Sequence, residues 1–255
     1  MTVGIRRCSR WLGLCVGFWS GLSVLAVPAA SASQAVDVVT AEHLLPFSFK
    51  DTTGVQQGLM TAVVQALAER SGQPLRIRSM PWARGVEQSR LEKRVMIYPL
   101  IYLPERQDDY LWIGPVTEDR FAFVVRADQY QTWSSLEALK RARIGALRGA
   151  PSGKRIQTLG YAQVEYNNDH RALIGQLMRG HIDAWYSCRS MIEENMRERG
   201  IDPDQFVIID EQTIRMYIGA SPDLAQLASE WNRLLQEIRD DGSLRRVVDT
   251  SRKRP

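Results

Sequence analysis

The segment LRIRSMPWARGVEQSRLEKRVMIYPL, residues 75–100, carries the pattern that decides the fold. Its first five residues and its last six are short runs of the kind that form strands. Residues 82–92, between the two runs, are predicted to form a helix. A strand, a helix and a strand in this order are typical of an α/β protein with a mostly parallel sheet.

The same alternation continues toward the N-terminus. The run VDVVT at residues 36–40 predicts a strand, and residues 59–70 predict a helix that ends at Gly72 and Pro74. The apolar residues at helical spacing in that helix are Met60, Val63, Val64 and Leu67. Together with residues 75–100, these segments form a β-α-β-α-β unit.

The second half of the chain repeats this order. Strands are predicted at residues 120–125, 143–147, 163–166 and 182–187, with helices between them. Asp169 is the predicted N-cap of the helix that precedes the last of these strands. A long amphipathic helix is predicted after Pro222.

Extended segments near residues 120–128 and 205–219 connect the two units. The fold class predicted from this order is α/β, with two lobes joined by two crossings and a ligand cleft between them. The predicted boundaries are residues 33–123 with 212–249 for lobe 1, 124–211 for lobe 2, and 250–255 for a basic tail.

Residues 1–32 have the composition of a secretory signal peptide. Three arginines lie in residues 1–10, an apolar run spans residues 11–27, and Ala30-Ser31-Ala32 follows as a small-residue cleavage site. An uncleaved membrane anchor is the alternative, which the polar interruption at residues 20–23 disfavours. We expect cleavage near Ser33.

Charge and cysteine content exclude several classes of function. The chain has 33 basic and 29 acidic residues, and six of the basic ones lie in the signal peptide and the tail, so the remainder is close to neutral. A nucleic-acid-binding role is not expected, since it needs a basic face. Cys188 is the only cysteine after residue 32, so no internal disulfide is predicted. The three histidines lack metal-ligand spacing and read as surface or capping residues, and neither a metal nor another cofactor is expected.

Several motifs, in this order and spacing, resemble the periplasmic solute-binding proteins of the polar amino-acid importer type. They are LLPFSFKDTTGVQQG (44–58), MPWARG (80–85), PERQDDYLWIGPV (104–116), RIGALRGAPSG (143–153) and RGHIDAWYS (179–187). The resemblance covers the chain after the signal peptide. It implies the two-lobed type II periplasmic-binding-protein fold, a periplasmic location, a monomer, and a small-molecule ligand passed to a membrane ABC permease or a sensor.

The resemblance implies that Arg106 grips a ligand carboxylate. A guanidinium suits this role because its planar donors match a carboxylate and its charge persists at every relevant pH. The alternative is a surface ion pair of Arg106 with Glu105, Asp108 or Asp109, which contributes about 0–1 kcal/mol.

Two departures from the family pattern restrict the ligand. Small hydroxyl residues normally precede the arginine, whereas this chain has Tyr98 to Leu103 there. Cys188 stands where the family commonly has an aspartate that receives the ligand ammonium, and a neutral thiol cannot offset that charge. The hypothesis is a ligand with an anionic group that is not an ordinary α-amino acid held in the usual way.

Further candidate ligand-binding residues lie in loops and helix starts. Glu42 is a candidate acceptor for a ligand amine. Four candidates have a structural alternative: core packing for Phe47, a structural role for Trp82, a solvated helix face for Arg84 and an N-cap for Ser152. In addition to Arg106, the candidates are Glu42, Phe47, Trp82, Arg84, Tyr98, Ser152, Tyr186 and Cys188.

We expect binding rather than catalysis to be the activity. A dehydratase of prephenate-type substrates uses the same architecture, and Glu42 is the one carboxylate expected near the cleft to act as a general acid or base. The same architecture also suits a ligand-sensing domain for a signalling partner, or a scaffold whose cleft has lost its ligand.

Overall fold

A computed structural model describes residues 34–252, with side chains up to Asp249. The predicted signal peptide and the end of the basic tail lie outside these residues. The strands are β1 (Val36–Thr40), β2 (His43–Leu44), β3 (Ser48–Lys50), β4 (Gln56–Gln57), β5 (Leu75–Ser79), β6 (Val95–Ile101), β7 (Leu111–Arg126), β8 (Arg143–Leu147), β9 (Gln163–Asn167), β10 (Ala184–Cys188) and β11 (Phe206–Ala220).

The helices alternate with the strands as an α/β fold requires. They are α1 (Leu59–Ser71), α2 (Trp82–Leu91), α3 (Leu136–Leu139), α4 (Pro151–Thr158), α5 (His170–Met178), α6 (Arg189–Glu198), α7 (Ala225–Asp240) and α8 (Ser243–Arg252). A 3-10 turn, Pro104–Asp109, connects β6 to β7. The last helix, α8, was not predicted from the sequence, and it extends into residues 250–252 of the predicted basic tail.

The main sheet has the strand order β5-β1-β6-β11-β7-β10-β8-β9. At one end β1 lies between β5 and β6 and is parallel to both; at the other end β8 lies between β9 and β10 and is parallel to both. Each end therefore has the first strand of a β-α-β-α-β unit at its centre. These two ends, with their helices, are the two lobes of the predicted fold class.

The long antiparallel strands β7 and β11 connect the lobes. They pair from Phe206↔Arg126 to Ala220↔Leu111, and the register shifts between Asp210 and Gln212 and between Met216 and Ile218. Such shifts bend and twist a strand locally. The bend therefore lies where the chain passes from one lobe to the other.

Apolar burial on both faces of the sheet stabilises the fold. All seven residues of β6 are buried, as expected for a parallel strand covered by helices. In α1 the residues predicted from helical spacing are fully buried, and Gly72 ends the helix in the left-handed conformation with φ 65°. The predicted N-cap Asp169 is confirmed, since its side chain accepts a hydrogen bond from the backbone N–H of Arg171.

Within residues 34–252, none of the helices combines the length and the hydropathy that crossing a bilayer requires. The same residues contain no group of three or more side chains placed to hold a metal ion.

Candidate functional site

The two lobes enclose a small cavity at the carboxyl ends of their parallel strands. Its volume is about 30 Å³, room for one or two water molecules. Ile101, Leu147 and Cys188 line it, and they are the last residues of β6, β8 and β10. This is the edge of an open α/β sheet at which ligands bind.

Two contacts cross between the lobes. The Lys154 ammonium on α4 lies 2.7 Å from a carboxylate oxygen of Glu105 in the 3-10 turn. The Nε2 of His43 lies 3.6 Å from a carboxylate oxygen of Glu198 on α6. The lobes are therefore closed on each other in this structure.

Gly149 permits a close approach of the two backbones next to the cavity. Its φ is +71°, and a Cβ added there would lie 3.1 Å from the Cβ of Ala83 on α2 of the other lobe. A side chain at this position would be strained and crowded. Gly149 of the 143–153 motif therefore permits contact between the lobes just before the start of α4.

Arg106 lies in the 3-10 turn after β6 and is half-buried. Its Nη1 atom is buried without a hydrogen-bond partner, and Arg106 forms no ion pair with another described residue. Two of the acids offered as alternative partners are engaged elsewhere, because Glu105 pairs with Lys154 and Asp109 with Arg90. Arg106 is not among the residues that line the cavity, which is bounded on this side by Ile101 and Pro99.

Three of the predicted site residues line the cavity. Trp82, the first residue of α2, is 8 % exposed, and Ser152 and Cys188 are 4 % exposed. The interpretation of Ser152 as an N-cap is wrong, since the N-cap of α4 is Ala150, and Pro151 and Ser152 are the first two helical residues. Burial raises the pKa of the Cys188 thiol well above its ordinary value, with a further contribution from the charge of Asp119, so Cys188 is neutral.

Three other predicted site residues are buried in the core of one lobe or the other. Phe47 is 2 % exposed and packs in the main hydrophobic core. Tyr98 is fully buried and its hydroxyl donates a hydrogen bond to Oγ1 of Thr61, at 3.0 Å. Tyr186 is fully buried and its hydroxyl donates to a carboxylate oxygen of Glu211, at 2.8 Å. In this structure all three face partners in their own lobe and do not line the cavity.

Two predicted charged residues lie on the surface. The carboxylate of Glu42 is held by the Lys50 ammonium at 3.0 Å, and the Glu42 side chain is 58 % exposed. Arg84 is exposed on α2. Neither contributes to the lining of the cavity, so the structure does not bring them together with Trp82, Ser152 and Cys188.

The interpretation of His170 as a surface or capping residue is wrong, because its side chain is buried in the wall of the cavity. His170 is the first residue of α5, is 4 % exposed, and has neither ring nitrogen hydrogen-bonded to a described residue. Its ring lies 5.6 Å from that of buried Trp185, centroid to centroid. Burial lowers the pKa of His170 to about 4, against an opposing contribution from Asp169 and with a small one from His43, so the ring is neutral at pH 7.

A signal for His170 was present in the sequence. It follows the N-cap Asp169 directly, at the start of a helix that comes after strand β9. A residue in that position lies at the carboxyl edge of a parallel sheet, where ligands bind.

Asp119 on β7 is the acid whose charge acts on Cys188, the position at which an aspartate was expected from the family resemblance. Its carboxylate accepts from the backbone N–H of Arg120 at 2.8 Å and lies 3.4 Å from the backbone nitrogen of Ser190 in α6. Burial raises the pKa of Asp119. Since Cys188 precedes α6 without a side-chain cap, Asp119 supplies the acceptor for that helix end, and it does not line the cavity.

The chain is similar to solved structures of two-lobed binding proteins. An ancestral arginine-binding protein bound to arginine has a TM-score of 0.77 at 19% identity, covering 86% of this chain and 98% of the other. A histidine kinase sensor domain with similarity to periplasmic binding proteins has a TM-score of 0.79 at 16% identity, covering 86% and 96%. An amino acid ABC transporter substrate-binding protein from Streptococcus pneumoniae bound to L-arginine has a TM-score of 0.74 at 17% identity, covering 85% and 94%.

These likenesses establish the two-lobed periplasmic-binding-protein fold. No curated protein matches the sequence. The model of one protein family does match it, over residues 36–250, which is nearly all of the chain that follows the predicted signal peptide. The protein belongs to the bacterial extracellular solute-binding proteins, family 3.

Proposed function

We propose that this protein captures a small anionic or zwitterionic solute in the periplasm by closing its two lobes, and delivers it to an ABC importer. The observation that carries the proposal is the interlobe cavity at the carboxyl ends of both sets of parallel strands. Residues 1–32 are the export signal, and the exported protein is a monomer. Residues 33–123 with 212–249 move as one lobe and residues 124–211 as the other.

Arg106 is the proposed anion receptor. Its buried Nη1 has no hydrogen-bond partner among the described residues, and a buried, unsatisfied guanidinium nitrogen costs free energy. A carboxylate of the solute satisfies it with a charge-assisted hydrogen bond. Arg106 lies in the turn that follows the cavity residue Ile101, so both lie at the same end of β6.

Trp82, Ser152 and Cys188 are the proposed contacts at the cavity itself. They come from both lobes, so a solute that touches them is bound tightly only when the lobes are closed. A ligand stabilises a closed state by its differential affinity for that state. Bends in β7 and β11 supply the hinge.

A role as the sensing domain of a signalling partner is the second candidate. The likeness to a histidine kinase sensor domain, with its TM-score of 0.79, favours it. The two roles share the binding step and differ in the partner. In a strain lacking this protein, loss of uptake of the solute supports the importer role, and intact uptake with a lost transcriptional response supports the sensor.

Binding rather than catalysis is the proposed activity. A dehydratase needs a general acid or base in contact with its substrate. Glu42, the carboxylate considered for that role, is exposed and held by Lys50. The carboxylate of Asp119 accepts hydrogen bonds from backbone N–H groups and does not line the cavity. Incubation with prephenate or arogenate without formation of an aromatic product is the expected result.

The test is calorimetry with the protein and its Arg106→Ala variant. Native mass spectrometry first identifies any co-purified solute, and the titration panel includes it with small carboxylates and the twenty amino acids. We expect binding by the wild type, loss of at least tenfold in affinity in Arg106→Ala, and unchanged affinity in Arg141→Ala, an exposed arginine of lobe 2. Unchanged affinity in Arg106→Ala would show that Arg106 is not the anion receptor.

A further inference from the structure

We propose, on the basis of the solute-binding function above, that the solute is a small monocarboxylate with an apolar body and no ammonium group. The inference starts from the composition of the cavity wall. Its polar residues, Ser152, His170, Ser187 and Cys188, are all uncharged, and no aspartate or glutamate lines it. The remaining lining residues are apolar.

An ammonium group would be poorly compensated in this cavity. A charge moved from water into a protein interior loses its hydration, and only a close partner of opposite charge restores that free energy. Asp119 is the acid close to Cys188, and its carboxylate already caps the start of α6 at Ser190. The solute that fits this wall carries no positive charge.

The apolar part of the wall selects an apolar body. Trp82, Ile101 and Phe121 contribute from lobe 1 and the crossing strands, and Leu147 and Met191 from lobe 2. Each methylene that such a wall removes from water strengthens binding by about fourfold. Because the closed cavity is only about 30 Å³, the body must be small and the wall must yield to admit it.

His170 is the hydrogen-bond donor that lobe 2 offers to the carboxylate. A neutral imidazole has one donor and one acceptor nitrogen, and both nitrogens of His170 are without a partner among the described residues. The ring is 96 % buried and packs beside Trp185, so its orientation is held by the core of lobe 2. Arg106 from lobe 1 supplies the positive charge that the carboxylate needs, and the neutral ring of His170 from lobe 2 donates a directional hydrogen bond to it.

Matched pairs of solutes test the inference directly. Calorimetry compares four amino acids with their deaminated partners: alanine with propanoate, valine with 3-methylbutanoate, leucine with 4-methylpentanoate, and phenylalanine with 3-phenylpropanoate. We expect at least one deaminated acid to bind, and to bind at least tenfold tighter than its amino acid. The uncharged amide 4-methylpentanamide reports whether the carboxylate is needed.

Variants at two positions distinguish the loss of a specific ligand contact from a general loss of structure. Cys188→Asp places a carboxylate in the cavity wall and should reverse the preference within the pair, whereas the neutral Cys188→Ser should keep it. His170→Phe keeps an aromatic side chain and removes both nitrogens, so affinity for the deaminated acid should fall at least tenfold. If His170→Phe does not fold, His170→Gln keeps a donor and should retain binding within threefold.

The possible outcomes distinguish this inference from the proposed function. If any of the twenty amino acids binds tighter than every deaminated acid, the inference is wrong and the solute-binding function stands. If no carboxylate and no amino acid binds, both are wrong. Unchanged affinity in His170→Phe overturns the assignment of His170, and an unreversed preference in Cys188→Asp overturns the argument from the missing acid.

Discussion

The ammonium of Lys154 lies 2.7 Å from a carboxylate oxygen of Glu105, so an ion pair joins helix α4 of lobe 2 to the turn of lobe 1 that carries Arg106. Glu105 is the residue immediately before Arg106 in that turn. Closing the lobes therefore fixes the segment that holds the proposed anion receptor. The pair hydrogen-bonds across the interface, and this bond lowers the pKa of Glu105.

Removing this ion pair should weaken the closed state without unfolding either lobe. Both side chains are about half exposed, so the pair contributes about 0–1 kcal/mol. We expect Lys154→Ala to lower solute affinity by about two- to fivefold and to leave the thermal midpoint of the solute-free protein within about 2 °C. Calorimetry and thermal unfolding measure the two effects.

Lys140→Ala is the matched control for that variant. Lys140 has similar exposure and pairs with Glu137 inside lobe 2, so its removal leaves the lobe interface untouched. Equal affinities for Lys154→Ala and Lys140→Ala would show that the Glu105–Lys154 pair has no part in closure.

The buried network of lobe 2 gives a second prediction, on stability. Glu211 has a side chain only 9 % exposed and accepts hydrogen bonds from Arg155 at 2.9 Å and from Tyr186 at 2.8 Å. Burial alone would raise the pKa of Glu211, but these two donors bring it below its ordinary value. Arg155→Ala leaves a buried carboxylate with only one partner, and we expect it to destabilise the protein by about 2–3 kcal/mol at pH 7.

The pH dependence of that loss follows from the sign of the pKa shift. A carboxylate with a lowered pKa in the folded state contributes stability at pH values above its unfolded pKa, and loses it as the pH falls through the folded pKa. In Arg155→Ala the pKa of Glu211 is higher than in the wild type, so a larger fraction of Glu211 is protonated at pH 4. The loss of stability relative to the wild type is therefore smaller at pH 4 than at pH 7. Urea unfolding at pH 7 and pH 4 should show a smaller difference from the wild type at pH 4. Arg233→Ala, which removes an exposed pair with Glu237, should cost below 1 kcal/mol at both.

The strands and long helices were predictable because periodicity in a single segment determines them. The buried positions of α1 and the N-cap Asp169 follow from spacing and side-chain type alone. The short strands β2, β3 and β4 were not predictable, since two or three residues carry no period. The sequence predicted a strand at residues 120–125, and β7 extends back from it to Leu111 because β11 pairs along its length.

The candidate site was only partly predictable, because lining a cavity depends on residues far apart in the sequence. Tyr186 is a plausible cleft residue until its partner Glu211 on β11 is known. Tyr98 is likewise held in the core of lobe 1 by its hydrogen bond to Thr61 on α1. His170 was interpreted as a surface or capping residue because a single histidine at a helix start does not reveal the residues, such as Trp185, that pack around it.

His170 gives a third prediction, on the stability of the solute-free protein in mild acid. Its pKa of about 4 in the folded state is below the ordinary 6.5 of the unfolded chain, so the unfolded chain binds more protons between these values. Stability therefore falls as the pH drops from 6.5 to 4, by about 3 kcal/mol at most. The groups that act on the ring are Asp169, which opposes the shift, and His43, which adds to it.

His170→Phe removes this titration and should flatten the stability profile between pH 6.5 and 4. Chemical denaturation at half-unit intervals measures it, with His181→Phe as a control, since His181 is exposed. A profile of His170→Phe that runs parallel to that of the wild type would contradict a neutral, buried His170.

Cys188 gives a fourth prediction, which concerns the opening of the lobes. In the protein without residues 1–32, which hold Cys8 and Cys15, it is the single thiol. It is 4 % exposed, and burial raises its pKa, so both access and thiolate formation are suppressed while the lobes are closed. We expect iodoacetamide to label Cys188 at pH 8 at least about 100-fold more slowly than an exposed cysteine introduced as Ser134→Cys in a Cys188→Ser background.

A bound solute should slow the labelling of Cys188 further, because it stabilises the closed state, and should leave the labelling at position 134 unchanged. Mass spectrometry of the intact protein follows both reactions. Lys154→Ala should label faster than the wild type if the ion pair to Glu105 restrains opening. Rapid labelling of Cys188 that the solute does not slow would show that the burial of Cys188 is independent of lobe closure. The cavity would then not be part of the binding site.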